Sequence, residues 1–542
     1  MDNMNQNNIE NSNRKEHSKH KWIFIIYLLG FLCMAMPLVL FQPLEDNPPI
    51  YSNPPDEHAR FLIPIFICEH GYIPTGLEEE ITIRGYGFSY GLYNTFPYIV
   101  QGFVMRLVNG FTNSEQALLL SARIVNVIFG LAMAVMVYLI GGKLFSDKRF
   151  QWLFSFAVMY LPQSMFLHTY INTDSCCLLS TAFMIYALLD LEEKGYQKRN
   201  CILLSIGIIL CALSYYNAYG YILSSILIFI SIAFKSVKPK SDVAEVNLSK
   251  PIDSTSDVTI STESDGRINW KGMLGYGIFV SILVLLGIGW WFIRQYMVLD
   301  GDFIGLATRS KMEAAYALQH PEVVRPLSYQ ERGFSIIGMM KDGSMLPILF
   351  QTFVCTFGSM SMVGNRFLYI GYKLLFAGAI VGLVLNFVRI ILNRGSKEET
   401  SGDHLENEAK ETSKGDLNAG SKETRHENLK NESKEQLTGE KRYPIFFHIN
   451  MIFCMFMPFV LTVYYSYATD YQPQGRYLMP MLIPFFYYII RGVEALAGIK
   501  IGGKKLPGWL INLGLFLCFV LIIGGTAEMV YHRALPIYLG QY

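Results

Sequence analysis

Residues 22–41 read WIFIIYLLGFLCMAMPLVLF, twenty positions without a charged side chain, and residues 53–60 a little further on read NPPDEHAR. A bilayer core of roughly 30 Å takes about 20 apolar residues in a helix, because every backbone N–H and C=O inside it must be bonded within the segment. The first stretch therefore predicts a membrane-spanning helix. It is too long for the apolar region of a secretory signal, and no small-x-small cleavage site follows it. Similar runs recur near 117–142, 150–168, 174–191, 201–216, 218–235, 272–293, 367–392, 444–466, 476–496 and 509–529, so the chain predicts an all-α polytopic bundle of about eleven spans. Two further stretches, 95–112 and 346–360, are apolar but short, and read as interfacial, re-entrant or spanning.

Composition agrees with this reading. Of the 542 residues 51% are hydrophobic and 16% charged, against roughly 25% charged in ordinary soluble domains. The 45 Lys+Arg and 44 Asp+Glu leave a net charge of +1, which provides no field to recruit nucleic acid. Nine cysteines, most inside apolar runs, read as small hydrophobes with neither a disulfide framework nor a zinc-type pair. The chain divides into a basic tail (1–21), a core (22–393) with a large loop at 42–116 and a polar loop at 236–270, a polar insert at 394–443, and a C-terminal membrane part (444–542). Both polar segments are rich in Ser, Glu, Lys, Asp and Asn and are expected to be disordered.

Lys and Arg near span ends set the expected orientation. Arg14, Lys15, Lys143, Lys148, Lys194, Lys198, Lys235, Arg394 and Lys500 all fall on one side if the N-terminus is cytoplasmic. The expected location is the plasma membrane, with the 42–116 loop outside.

Chemistry-bearing residues then gather on the outer face. Asp56, Glu57 and His58 follow the first span, where they suit general-base or metal work; Asp56 after Pro55 also suits a plain helix N-cap. Asn172 and Asp174 open the fourth span, where an Asp is favoured by the helix dipole alone. The alternation of Gly and aromatics at 86–98 suits a sugar-stacking wall or an interfacial aromatic belt. Arg123, Arg294, Lys373 and Arg476 lie near outer span ends. A cation in a span needs an anionic partner or polar cavity, and a membrane-embedded phosphate is such a partner. No Asp or Glu falls in the middle of a span, which disfavours an ion-coupled transporter.

Pro55-Asp56-Glu57 with His58, Asn172-x-Asp174, and Gln474-Gly475-Arg476-Tyr477-x-x-Pro480 resemble a family of uncharacterised bacterial polytopic membrane proteins similar to the GT-C glycosyltransferases. The resemblance covers roughly 20–530. It implies a GT-C fold with juxtamembrane helices in the first external loop, an acidic residue of that loop at the catalytic centre, and a sugar donor carried on polyprenyl phosphate. The matching acid is Asp56, with Glu57 beside it.

The expected function is therefore an inverting GT-C-type glycosyltransferase. It would move a sugar from polyprenyl phosphate to a glycopolymer or lipid acceptor of the cell envelope. Asp56 and Glu57 are the catalytic candidates. His58, Asn172, Asp174, Arg123, Arg294, Lys373, Gln474, Arg476 and Tyr477 are the substrate-binding candidates. A divalent cation is left open. The alternatives are a lipid-linked glycan flippase or transporter, which would need a polar path across several spans, and a glycan polymerase, whose donor would carry a pyrophosphate.

Overall fold

The apolar runs fold into helices. The computed structural model describes residues 2–45, 51–93, 95–234, 268–322, 326–411, 443–501 and 504–541. Among these, eight helices are long and apolar enough to cross a membrane. In chain order the α-helices are α1 (Asp2–Phe41), α2 (Glu57–His70), α3 (Phe96–Asn109), α4 (Glu115–Leu144), α5 (Lys148–Met159), α6 (Pro162–Leu167), α7 (Asp174–Lys194), α8 (Lys198–Ala212), α9 (Tyr219–Ile232), α10 (Trp270–Val298), α11 (Leu306–Gln319), α12 (Ile336–Asp342), α13 (Met345–Val354) and α14 (Arg366–Glu411). They are followed by α15 (Ile445–Ala468), then α16 (Leu482–Ala497), entered through a 3-10 turn at Gly475–Met481. Last comes α17, a helical path over Gly508–Tyr538 with two π-type stretches. The described strands form two two-stranded hairpins, Thr356–Phe357 with Met362–Val363 and Lys500–Ile501 with Lys504–Lys505.

Burial sorts the helices into layers. The apolar window of α7 is 94% buried, so this helix is central and carries apolar residues all round. That of α10 is 6% buried and that of α14 11%, and both turn rows such as Ile278, Ile282, Leu285 and Val381, Val384, Leu385 outward. An exposed apolar face of this extent is a lipid-facing surface. The protein is a multi-pass membrane protein.

Of the eleven expected spans, eight are single long helices and three are not. The run at 150–168 is broken between α5 and α6, because Pro162 drives Leu161 into an extended conformation (φ −62°, ψ 125°). The break is tolerated inside the bundle because protein groups bond the freed backbone: the Thr526 hydroxyl donates to the Tyr160 carbonyl. The runs at 201–216 and 218–235 become α8 and α9, of 15 and 14 residues, joined by a turn around Leu213–Tyr215. The stretches 95–112 and 346–360 hold α3 and α13, of 14 and 10 residues. At 1.5 Å per residue these are about 21 and 15 Å long, too short to span. Of the polar segments, 236–267 and 412–442 lie outside the described residues, whereas α14 continues through 394–411 rather than ending near 393.

Small residues set a close helix crossing between α14 and α16. A Cβ on Gly492 of α16 would lie 2.1 Å from the carbonyl oxygen of Ala379 on α14, and one on Gly382 2.1 Å from that of Gly492. Without a hydrophobic drive between helices in lipid, such close backbone packing is what holds them together. Gly492→Val is expected to destabilise the detergent-purified protein by about 1–3 kcal/mol, as overpacking does. Gly514→Val on α17, where a Cβ meets nothing within 4 Å, serves as the control. Thermal unfolding followed by tryptophan fluorescence checks the pair; equal midpoints would show that the crossing yields.

The two ends of the bundle differ. At one, Lys143 pairs with Asp190 (2.8 Å) and Glu193 (2.6 Å), and Lys194 with Asp190 (2.8 Å). The other gathers the last turn of α1, the first turns of α4 and α7, the Gly475–Met481 turn, and the non-spanning α2, α3 and α13. The candidate site lies there.

Candidate functional site

Two prolines bring the chain into α2. The Glu57 N–H donates to the Pro54 carbonyl (3.3 Å), and Asp56 takes a left-handed backbone conformation, φ 60° and ψ 9°. This is uncommon for any residue but glycine, though Asp tolerates it better than most, and such strain concentrates at functional positions. Its consequence is directional. The Asp56 side chain makes no capping bond to α2, so the N-cap reading does not hold. The carboxylate turns instead toward two arginines: Oδ2 accepts from Nη2 of Arg476 at 2.9 Å and from Nη2 of Arg60 at 3.5 Å. Nη1 of Arg60 lies 3.6 Å from Oδ2 of Asp174. The four charges alternate, Asp174, Arg60, Asp56, Arg476, and are drawn from α2, α7 and the turn before α16. Three of the side chains are at most 10% exposed, while Asp56 keeps 38% of its side chain accessible. It is the one member of the chain of charges that opens outward.

Electrostatics keep this carboxylate ionised. Burial pushes the Asp56 carboxyl up, but the charges of Arg476 and Arg60 and their hydrogen bonds outweigh it and hold the group below its ordinary value of 3.8. Nearby phenols move the other way; burial, then the Asp56 charge, pushes Tyr90 up to about 12.

Arg476 is positioned by close backbone packing. The Gly475 N–H donates to Oγ1 of Thr352 on α13 (2.7 Å), and a Cβ at Gly475 would lie 2.1 Å from the Phe353 nitrogen. No other residue fits there. Nη2 of Arg476 also donates to the Tyr477 hydroxyl (3.1 Å), which donates to Oε1 of Gln472 (2.6 Å). The hairpin after α13 holds the other partner. The Ser359 N–H and Ser361 hydroxyl donate to the Tyr51 carbonyl (3.1 and 2.5 Å), and the Ser359 hydroxyl to Oδ1 of Asn53 (3.1 Å). One short unit, 345–363, thus braces both the Asp56 loop and the Arg476 turn.

The remaining sequence candidates divide. Glu57 is fully buried, and it receives Nε and Nη2 of Arg123 at 2.9 and 2.6 Å and the Ile171 N–H at 2.8 Å. Arg123, 1% exposed, donates its other Nη to the carbonyls of Val39 and Gln42. Both side chains are taken up in a tie between α1, α2, α4 and the loop before α7. Asn172 is also internal, its amide donating to the Leu167 and Tyr170 carbonyls and accepting from the Ser175 N–H. Arg294 is held by the carbonyls of Ile73 and Pro74 (2.9 and 2.8 Å), which dock the loop between α2 and α3 on α10. Lys373 is exposed on α14 over the Phe350 ring (5.4 Å). His58 faces outward, and Gln474 bonds through its backbone to Gln472 and Tyr477. Asp56, Asp174, Arg476 and Tyr477 are therefore the candidates that the fold brings together.

Sequence reading missed Arg60, whose signal was its place one helical turn after Asp56. It also missed the tyrosines around it. Arg60 lies over the Tyr90 ring (5.3 Å), and the charges of Asp174, Arg476 and Arg60 reach Tyr215, in the turn between α8 and α9. Several buried donors make no hydrogen bond among the described residues: Nε and Nη1 of both Arg60 and Arg476, and the Tyr170 hydroxyl. Buried polar groups are ordinarily paired, and donors of this kind suit an oxyanion. A divalent cation fits poorly. No group of three or more His, Cys, Asp or Glu is close enough to hold one among the described residues, and Arg60 stands between the two carboxylates.

Comparison with curated proteins yields no match. Among solved structures the chain is similar to the oligosaccharyltransferase of Archaeoglobus fulgidus. The form tethered through a disulfide bond to an acceptor peptide containing the NVT sequon is 11% identical, the match covering 94% of this chain and 55% of that one, with a TM-score of 0.45. The archaeal oligosaccharyltransferase AglB in complex with an inhibitory peptide and a dolichol-phosphate is 12% identical, with 94% and 56% covered and a TM-score of 0.45. The chain spans about half the length of these structures. A family profile matches residues 76–484, a range that includes Asp174 and Arg476, and by that match the chain belongs to the DUF2142 family of predicted membrane proteins.

Proposed function

We propose that this protein is a GT-C-type glycosyltransferase that moves a sugar, with inversion, from polyprenyl phosphate to a cell-envelope glycopolymer or lipid on the outer face of the plasma membrane. The observation that carries the reading is the accessible Asp56 carboxylate, held by Arg476 beside buried guanidinium N–H groups that make no hydrogen bond among the described residues. In the reaction the acceptor hydroxyl oxygen attacks the anomeric carbon, and the bond from that carbon to the phosphate oxygen breaks. The electron pair leaves with the phosphate, and the proton passes to Asp56. Nη2 of Arg476 steadies Asp56, while Nε and Nη1 of Arg476 and of Arg60 are directed to the charge that grows on the leaving phosphate. Tyr90 and Tyr477 supply aromatic faces beside the two arginines. The N-terminus is cytoplasmic in this reading, with the lysine-bearing end of the bundle inside.

The test uses purified protein in proteoliposomes with a labelled sugar on polyprenyl monophosphate or on the pyrophosphate. Transfer of label to acceptor from the monophosphate is the expected result. Movement of intact donor between leaflets without transfer would establish a flippase instead, and exclusive use of the pyrophosphate would establish a polymerase.

The pH dependence follows from Asp56. A carboxylate held below its ordinary value stays ionised as pH falls, and its function is lost only through that lowered value. Transfer is expected to vary less than about twofold between pH 7 and about pH 5. Arg476→Gln removes the largest opposing charge, and it should bring the acid limb of the residual rate upward by about one pH unit or more. A limb that does not move would break the link between Arg476 and Asp56.

A further inference from the structure

We infer that Arg60 is the resident cation of the site and that transfer needs no divalent metal; the inference rests on the glycosyltransferase reading above. Asp56 on α2 and Asp174 on α7 are brought together from distant parts of the sequence, and two carboxylates converging in a largely buried setting repel unless a cation lies between them. Here that cation belongs to the chain. Nη2 of Arg60 lies 3.5 Å from Asp56 and Nη1 3.6 Å from Asp174, with the Arg60 side chain 10% exposed. Its backbone is fixed relative to Asp56, since the Arg60 N–H donates to the Asp56 carbonyl at 3.0 Å. The Tyr90 ring covers the guanidinium.

A metal would have to take this place. Zinc asks for about four ligands and magnesium or calcium for six or more, at about 2.0–2.6 Å. The histidines do not complete such a set: His58 faces outward, and among the described residues no group of three or more His, Cys, Asp or Glu is close enough to hold an ion. Bringing an ion within bonding distance of both carboxylates would expel Arg60 and leave a buried guanidinium unpaired. Arg60 also offers what a metal would supply to the substrate. Its Nε and Nη1 make no hydrogen bond among the described residues, so the same group that neutralises the carboxylates carries N–H donors for a phosphate oxygen.

Two measurements test this. The first is Mn2+ binding to the purified wild-type protein, followed by loss of the free-ion electron paramagnetic resonance signal, with Asp174→Asn as reference. Wild type and Asp174→Asn are expected to titrate alike. A stoichiometric wild-type site that disappears in Asp174→Asn overturns the inference. The second is the transfer rate. EDTA is expected to change it less than twofold. Arg60→Lys, which keeps the charge, should retain transfer within about tenfold, whereas Arg60→Gln should lose at least a hundredfold. Millimolar Mn2+ should then restore part of the Arg60→Gln rate, because the two carboxylates are left without their cation; a purely structural role would give no such rescue. Transfer abolished by EDTA and restored by Mn2+ in the wild type overturns the inference, as do equal losses in folded Arg60→Lys and Arg60→Gln. The Mn2+ titration is read without substrate, so absence of transfer in every form would refute the glycosyltransferase reading while still deciding what sits between Asp56 and Asp174.

Discussion

Asp56→Asn is expected to lower sugar transfer by about 10²–10⁴-fold, the usual contribution of a positioned general base, while leaving the protein folded. Asn keeps the size and shape of the carboxylate, and its Oδ1 can still accept from Nη2 of Arg476, so the turn before α16 stays in place. The capacity to take a proton is lost. Because the side chain is 38% exposed and makes no capping bond to α2, the start of the helix does not rest on it. The decisive measurement is the single-turnover rate with labelled polyprenyl-phosphate sugar, made beside thermal unfolding. A folded Asp56→Asn protein that transfers sugar at the wild-type rate would refute the base assignment. The substitution also strips the counter-charge from two buried arginines, so donor affinity is expected to hold or rise as the rate falls. A merely structural role for Asp56 would not separate the two in this way.

Glu57→Gln, one residue along, is expected to act through stability. Removing one partner of a buried ion pair leaves the other charge uncompensated, at a cost of about 3–5 kcal/mol. Arg123, 1% exposed and donating to the Val39 and Gln42 carbonyls as well as to Glu57, would be left in that state. A loss of this size is a large part of the stability of most proteins, so a much lower unfolding midpoint and a poor yield from membranes are expected. Arg123→Ala should behave alike, and the double substitution should cost less than the sum of the two, since each breaks the same pair. Unfolding midpoints of the three variants check this. A Glu57→Gln protein with an unchanged midpoint and abolished transfer would return Glu57 to the catalytic group.

The contrast between these neighbours shows where sequence reading reached its limit. The string Pro55-Asp56-Glu57-His58 marks a charged, capped helix start at the membrane boundary, but it treats its two acids alike. Their duties separate because Asp56 takes a left-handed conformation and Glu57 is the first residue of α2. Successive helical side chains point about 100° apart, so Glu57 turns inward to Arg123 and His58 outward. The arginines divide in the same manner. Four cations near span ends suit a donor phosphate in the sequence, Arg476 best of them by its motif; Arg123 and Arg294 are occupied by a carboxylate and by carbonyls from distant segments, and Lys373 stands exposed on α14. Arg60 escaped notice because it lies in a short juxtamembrane helix, where a cation needs no special explanation.

What the sequence determined by itself was the solvent of the chain and the rough location of its chemistry. The need to satisfy the backbone in lipid is local and one-dimensional, so run length and scarcity of charge sufficed to read an all-α membrane bundle and to place Asp56, Asp174 and Arg476 near helix ends. Only the tertiary structure decided which charges meet. It also decided that the run at 150–168 is a broken helix tolerated because Thr526 bonds its freed carbonyl, and that α3 and α13 stop short of spanning. The physical reason is common to these cases: a buried charge or freed carbonyl is tolerated only with a partner, and apart from Arg60, one turn after Asp56, the partners stand tens to hundreds of residues away, where no periodicity or spacing in the sequence encodes them.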